Sequence, residues 1–182
     1  MHSAIVTAAS RVRGEQLGMD YVRVLSPINF RSHIDDDAAC ADYFICAVTG
    51  MAPSDGATFW EQARAAGAQL GSARSAGGVL ATSAAVADAI GTDAEVGAAA
   101  ALFTTALPFD LLISNLGAQD LKSVGPLRPS AVWAPVLETQ IAGSTVIGVT
   151  TYQGVLRMVA SGYSPTDEYL EAVAAYLRNI VG

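Results

Sequence analysis

Leu111 to Gly117 reads Leu-Leu-Ile-Ser-Asn-Leu-Gly, an apolar run that passes directly into polar and conformationally permissive residues. This junction predicts a short buried strand ending in a tight polar loop, the kind of strand end on which sites are built. An asparagine carboxamide and a glycine at Asn115 and Gly117 can offer hydrogen bonds to an acyl or carbonyl group. Equally, Asn115 can bond its own backbone in a plain turn. Asn29 and Arg31, just beyond Pro27, form a second candidate group: Arg31 could hold a carboxylate bidentately or cap exposed carbonyls.

His33 opens the run His33-Ile34-Asp35-Asp36-Asp37, where an imidazole beside carboxylates could act as a base or join a cation site. The run lacks the glycine of a calcium loop and reads as a solvated turn. Ser114 is flanked by Ile113 and Asn115 rather than by the glycines of a hydrolase elbow, which argues against a nucleophile there. The glycines between Gly71 and Gly78 lack a Gly-Lys-Ser/Thr ending and follow a helical pattern, so they do not make a phosphate loop. Cys40 and Cys46 show no Cys-x-x-Cys or zinc-ligand spacing and read as small buried hydrophobes rather than a disulfide or metal pair. No catalytic residue, metal site or permanently bound cofactor is assigned on these grounds.

A length of 182 residues suffices for one domain, taken as 1–182. The sequence is 52% hydrophobic and 15% charged, against about 25% charged in an ordinary soluble domain, so an apolar face covered by a partner is expected. A formal charge of -7 without any basic stripe argues against nucleic acid. Pro108 and Asp110 interrupt the most apolar run, Val96 to Ile113, so no membrane span is expected. With no charged segment followed by an apolar signal stretch, a cytoplasmic chain is the expectation, and Met1 running straight into helix-like sequence suggests a start cut into a longer protein.

Apolar spacing predicts a helix over Ser3–Arg13, broken between Gly14 and Gly18, and a strand over Tyr21–Ser26 that Pro27 should end for want of an N–H. Tyr43–Thr49 is apolar nearly throughout and predicts a central strand buried on both faces. Thr58 and Glu61 form a capping box for a helix over Phe59–Leu70. Gly71–Gly78 reads as a linker before helices over Val79–Ile90 and Ala94–Phe103, the latter with a second box at Thr92 and Glu95. Strands over Val146–Tyr152 and Leu156–Gly162 precede a closing helix over Pro165–Val181, with Leu170, Val173, Ala174, Leu177, Ile180 and Val181 on one face. The class is α/β, a mixed sheet covered by helices.

The run Val22 to Arg31, Val-Arg-Val-Leu-Ser-Pro-Ile-Asn-Phe-Arg, resembles the strand-plus-"PvNlR" signature of condensation domains and related acyltransferases. Phe59-Trp60-Glu61-Gln62-Ala63-Arg64 is similar to the helix that follows in that family. Leu111 to Gly117 is similar to its "SNlG" segment, and Val146–Tyr152 with Leu156–Tyr163 to its late hairpin. These matches run in the family's order over nearly the whole chain. The resemblance implies one half, the C-terminal one, of the two-half chloramphenicol acetyltransferase-like fold, with a tunnel between halves. It implies acyl transfer from a thioester, on coenzyme A or a phosphopantetheinyl acyl carrier protein, to an alcohol or amine, as in secondary metabolism.

The family's His-His-x-x-x-Asp-Gly motif belongs to the other half and is absent from this sequence; at His33–Asp37, Ser32 replaces the first histidine and Ala38 the glycine. The resemblance therefore implies that Arg31 pairs with a carboxylate of the missing N-terminal half, and that Asn29, Ser114, Asn115 and Gly117 line the tunnel or the interdomain surface. By itself the chain would be inactive. The alternative expectation is a non-catalytic binding or assembly module that self-associates through its apolar face and holds an acyl or carrier ligand.

Overall fold

The computed structural model describes residues 1–34, 43–53, 56–91, 97, 108–137, 144–162 and 167–181. Its elements run α1 (His2–Leu17), β1 (Val22–Asn29), a 3-10 turn (Arg31–His33), β2 (Phe44–Met51), α2 (Phe59–Arg74), α3 (Ala76–Ile90), β3 (Leu111–Gln119), β4 (Thr145–Tyr152), β5 (Val155–Gly162) and α4 (Asp167–Val181). The five strands form one mixed sheet in the order β2-β1-β3-β4-β5. The β1–β3 and β3–β4 pairs are parallel, whereas β1–β2 and β4–β5 are antiparallel. The α/β mixed sheet with helical cover expected from the sequence is thus the observed architecture.

The helices lie on one face. Ile5, Val6, Ala8, Ala9 and Val12 of α1 pack beneath Val22, Val24, Leu111, Ile113, Ile147 and Val149, with Phe59 and Ala63 of α2 and Tyr169 and Val173 of α4 on its flanks. Each fully buried aliphatic side chain in such a core contributes about 1.5–3 kcal/mol. Residues Ile5 to Ser10 are all buried, so α1 is enclosed on every side rather than amphipathic, as a helix between other helices and a sheet must be. Arg11 ties the layer together: Nε donates to Gln62 Oε1 at 2.7 Å, and one terminal nitrogen donates to the Tyr176 hydroxyl and the other to the Ala57 carbonyl, each at 2.8 Å.

Several expected boundaries move, each for a local reason. Helix α1 continues through Gly14 to Leu17: a Cβ at Gly14 would collide with the Pro53 ring, so this glycine serves close approach, and Gly18 (φ 63°) ends the helix. Strand β1 continues through Pro27 to Asn29. Arg23 N–H faces Asp110 and Phe30 N–H faces Tyr43, so alternation puts the Pro27 nitrogen on the β3 side, where the ladder has already ended at Leu25–Leu112. No ladder hydrogen bond is lost there.

Strand β2 is an edge strand, not the central one expected: Ile45, Ala47, Thr49 and Met51 are buried, but Phe44 and Val48 on the other face are 52% and 42% exposed. Nor is Gly71–Gly78 a linker. Helix α2 reaches Arg74 with its Thr58–Glu61 capping box formed as expected, and α3 starts at Ala76 with the Ser75 hydroxyl accepting from Gly78 N–H at 3.0 Å. The expected helix over Ala94–Phe103 and its Thr92–Glu95 box lie outside the described residues.

Strands β4 and β5 turn at Gln153 and Gly154, both at positive φ (50° and 76°), the backbone a two-residue hairpin requires. On α4, Leu170, Val173, Leu177 and Ile180 pack inward as expected, joined by Tyr169 and Tyr176. The outer sheet face is covered over β4 and β5 by residues 129–137, where the Pro135 carbonyl lies so close to Gly148 that a Cβ would collide with it. Ser161 Oγ donates to the Leu137 carbonyl at 2.8 Å.

Candidate functional site

Two of the sequence-predicted groups meet in space. Parallel pairing of β1 and β3 is confined to Val24–Leu111 and Leu25–Leu112. Beyond it the strands separate, and the C-terminal ends carrying Asn29 and Ser114 to Gly117 flank a gap in the sheet. On the outer face the gap opens into a depression of about 520 Å³, lined by Pro27, Asn29, Arg31, Tyr43, Phe44, Cys46, Leu112, Ser114, Asn115, Leu116 and Leu137. On the helical face it opens into a smaller cavity of about 210 Å³, with Asn29, Asn115 and Gly117 beside His2, Ser26, Ile28, Leu70 and Arg74. Pro27, Asn29 and Asn115 line both.

The anchor of this splayed region is the pair at the start of β3. Asp110 Oδ2 accepts from Arg23 N–H at 2.8 Å and from Arg23 Nε at 3.0 Å, while Oδ1 accepts from a terminal guanidinium nitrogen at 2.8 Å. Asp110 N–H in turn donates to the Arg23 carbonyl at 2.9 Å. Burial by itself would raise the Asp110 pKa, but the Arg23 hydrogen bonds and charge outweigh it and hold the carboxyl below its usual value. The sequence offered no signal for this pair, whose members are 87 residues apart.

Asn115 and Gly117 do not sit in a loop after the strand. Strand β3 runs on to Gln119, and the register slips by one residue between Asn115 and Ala118 against β4. This is a β-bulge, with Gly117 at φ 70° supplying the left-handed backbone. Asn115 Oδ1 accepts from Gly117 N–H at 2.8 Å, and Asn29 Oδ1 accepts from Arg31 N–H at the same distance. The local-turn reading of Asn115 is therefore correct for its oxygen, and the carboxamide nitrogen is left to face other partners.

Arg31 stacks on Tyr43, its Cζ 4.4 Å from the ring centroid. Ser114 is half-buried in the outer depression. His33 is exposed in the 3-10 turn, with its N–H donating to the Phe30 carbonyl at 2.8 Å, whereas Asp35–Asp37 lie outside the described residues. Cys46 is a free, half-buried thiol whose pKa burial pushes up, and Cys40 lies outside the described residues. Among the described residues no group of three or more His, Cys, Asp and Glu is placed to hold a metal ion, and no helix is long and apolar enough to cross a membrane.

The smaller cavity holds what sequence reasoning missed. His2 Nε2 and Ser26 Oγ are hydrogen-bonded at 3.1 Å, and Arg74 completes the wall. Burial and then the Arg74 charge lower the His2 pKa to about 4, so its imidazole is neutral at physiological pH.

No family model matches the chain, and no curated protein matches it. Solved structures do. The epimerization domain from the third module of tyrocidine synthetase B superposes with a TM-score of 0.60 at 13% identity, over 98% of this chain and 40% of its own. The PapA2 acyl transferase gives 0.54 at 14% identity, over 99% of this chain and 39% of that one. A structure of condensation domain-mediated chain release from the enacyloxin polyketide synthase gives 0.53 at 14% identity, over 96% and 34%. This chain therefore has the fold of part of these condensation-domain and related acyltransferase structures, and spans 34–40% of their length.

Proposed function

We propose that this chain is the C-terminal part of an acyltransferase that moves an acyl group from a thioester, on coenzyme A or an acyl carrier protein, to an alcohol or amine in cytoplasmic secondary metabolism. The observation that carries the reading is the meeting of the Asn29–Arg31 and Ser114–Gly117 strand ends around one gap in the sheet. Fold likeness and motif order support it together. In this reading Arg31 binds a carboxylate of an N-terminal half that bears His-His-x-x-x-Asp-Gly, and Asn29, Ser114, Asn115 and Gly117 line the tunnel. The general base comes from that other half, so the described chain positions substrate and does not itself remove the acceptor proton.

The test uses the complete enzyme and follows thiol release from an acyl thioester. Arg31→Ala is expected to lower turnover about tenfold or more, the loss of a charge-assisted hydrogen bond. Arg31→Lys keeps the cation over Tyr43 but loses the bidentate fork, and is expected to fall between. Wild-type turnover and stability in both variants would overturn the role of Arg31.

A second reading, a non-catalytic module that self-associates, draws on the exposed apolar side chains Phe44, Val48 and Leu116 on the outer sheet face and Leu80 on α3. Sedimentation of the chain at increasing concentration separates the two: a stable homo-oligomer that retains an acyl ligand without turnover favours the module.

A further inference from the structure

We infer that the cavity between His2, Ser26, Arg74, Asn29 and Asn115 is a binding site for a small oxyanion, a carboxylate or phosphate group. Among the described lining residues there is one cation and no carboxylate, in a chain whose formal charge is -7. Each asparagine oxygen already accepts one backbone N–H, at 2.8 Å, and each carboxamide retains its N–H2 group as a donor. The His2–Ser26 pair, 3.1 Å apart, can redirect either its hydroxyl or a ring N–H. Arg74 is exposed at the C-terminal end of α2 and has no ion-pair partner among the described residues.

Amide, hydroxyl and ring donors grouped around one cation are what an oxyanion requires. The volume of about 210 Å³ lies below the range of roughly 300–1,000 Å³ that holds drug-sized ligands, which limits the occupant to a small anion or the end group of a longer molecule. The depressed His2 pKa agrees with a cavity that is already electropositive, since the Arg74 charge is one of its causes. The site stands whether or not the protein transfers acyl groups, because none of its contacts depends on a catalytic half.

The experiment is an NMR titration of the full chain with inorganic phosphate and, separately, acetate, against chloride at matched ionic strength. The resonances followed are the side-chain N–H groups of Arg74, Asn29 and Asn115. Saturable shifts of all three with phosphate alone identify a phosphate-type ligand, with acetate alone a carboxylate, and with both a general oxyanion; each supports the site. Arg74→Gln, at an exposed position, is expected to weaken binding about tenfold or more. Arg178→Gln, an exposed cation on α4, is expected to leave it unchanged. No saturable shift, the same shifts with chloride, or equal loss in both variants would overturn the proposal.

Discussion

Replacing Gly117 by alanine isolates the backbone conformation on which the site edge depends. At φ 70° an L side chain sits in the left-handed region, but nothing lies within 4 Å of the Cβ that would be added. The cost is therefore conformational and not steric. The left-handed penalty is about 1–2 kcal/mol, and loss of glycine's freedom in the unfolded chain returns about 0.4–1 kcal/mol. The net destabilisation expected is about 1 kcal/mol, which for a chain of this size lowers Tm by about 2–4 °C. Gly117→Asn should recover part of it, since asparagine tolerates that region. Urea unfolding measures both, read as a shift in midpoint at constant m-value. Should the asparagine variant prove as destabilised as the alanine one, or should alanine be neutral, the bulge would not have the geometry described. A loss of more than about 3 kcal/mol would point to contacts that this account does not contain.

Three further outcomes follow from the packing and charges. Arg11→Ala removes three hydrogen bonds, one of them to the buried Gln62, so stability should fall by about 3–5 kcal/mol in denaturant unfolding. His2 binds a proton in the unfolded chain near its ordinary value of 6.5 but in the folded chain only near 4, so stability should decline as pH falls from 6.5 towards 4, by up to about 1.4 kcal/mol per pH unit from this group. His2→Gln should remove that part of the slope. Gly148→Ala, by forcing a Cβ into the Pro135 carbonyl, should release the 129–137 segment from the outer sheet face, seen as faster amide exchange of that segment's backbone.

What could be read in advance depended on whether the information was local. The Thr58–Glu61 box needs only three residues of spacing, and it formed as written, with Thr58 N–H donating to Glu61 Oε2 at 2.8 Å. The fate of Pro27 was not local, because it depends on which side of β1 has lost its neighbour. The apolar run of β2 looked central because composition cannot distinguish a strand covered by this chain from one left for another surface; Phe44 and Val48 are the residues that decide it. Gly14 looks like a break in the sequence because its reason, the approach of Pro53, lies 39 residues away. For the site, motif order suggested that Asn29 and Arg31 belong with Ser114 to Gly117, and the splayed ends of β1 and β3 bring them together. The His2–Ser26–Arg74 cavity had no sequence signature, since its side chains come from three separate elements.

The central claim, that this fold works as one part of a two-part acyltransferase, is tested most directly by mass spectrometry of the native assembly, with peptides mapped beyond this sequence. A segment bearing His-His-x-x-x-Asp-Gly is expected, either preceding Met1 in the same polypeptide or bound to it. A native assembly made only of the 182-residue chain would contradict it.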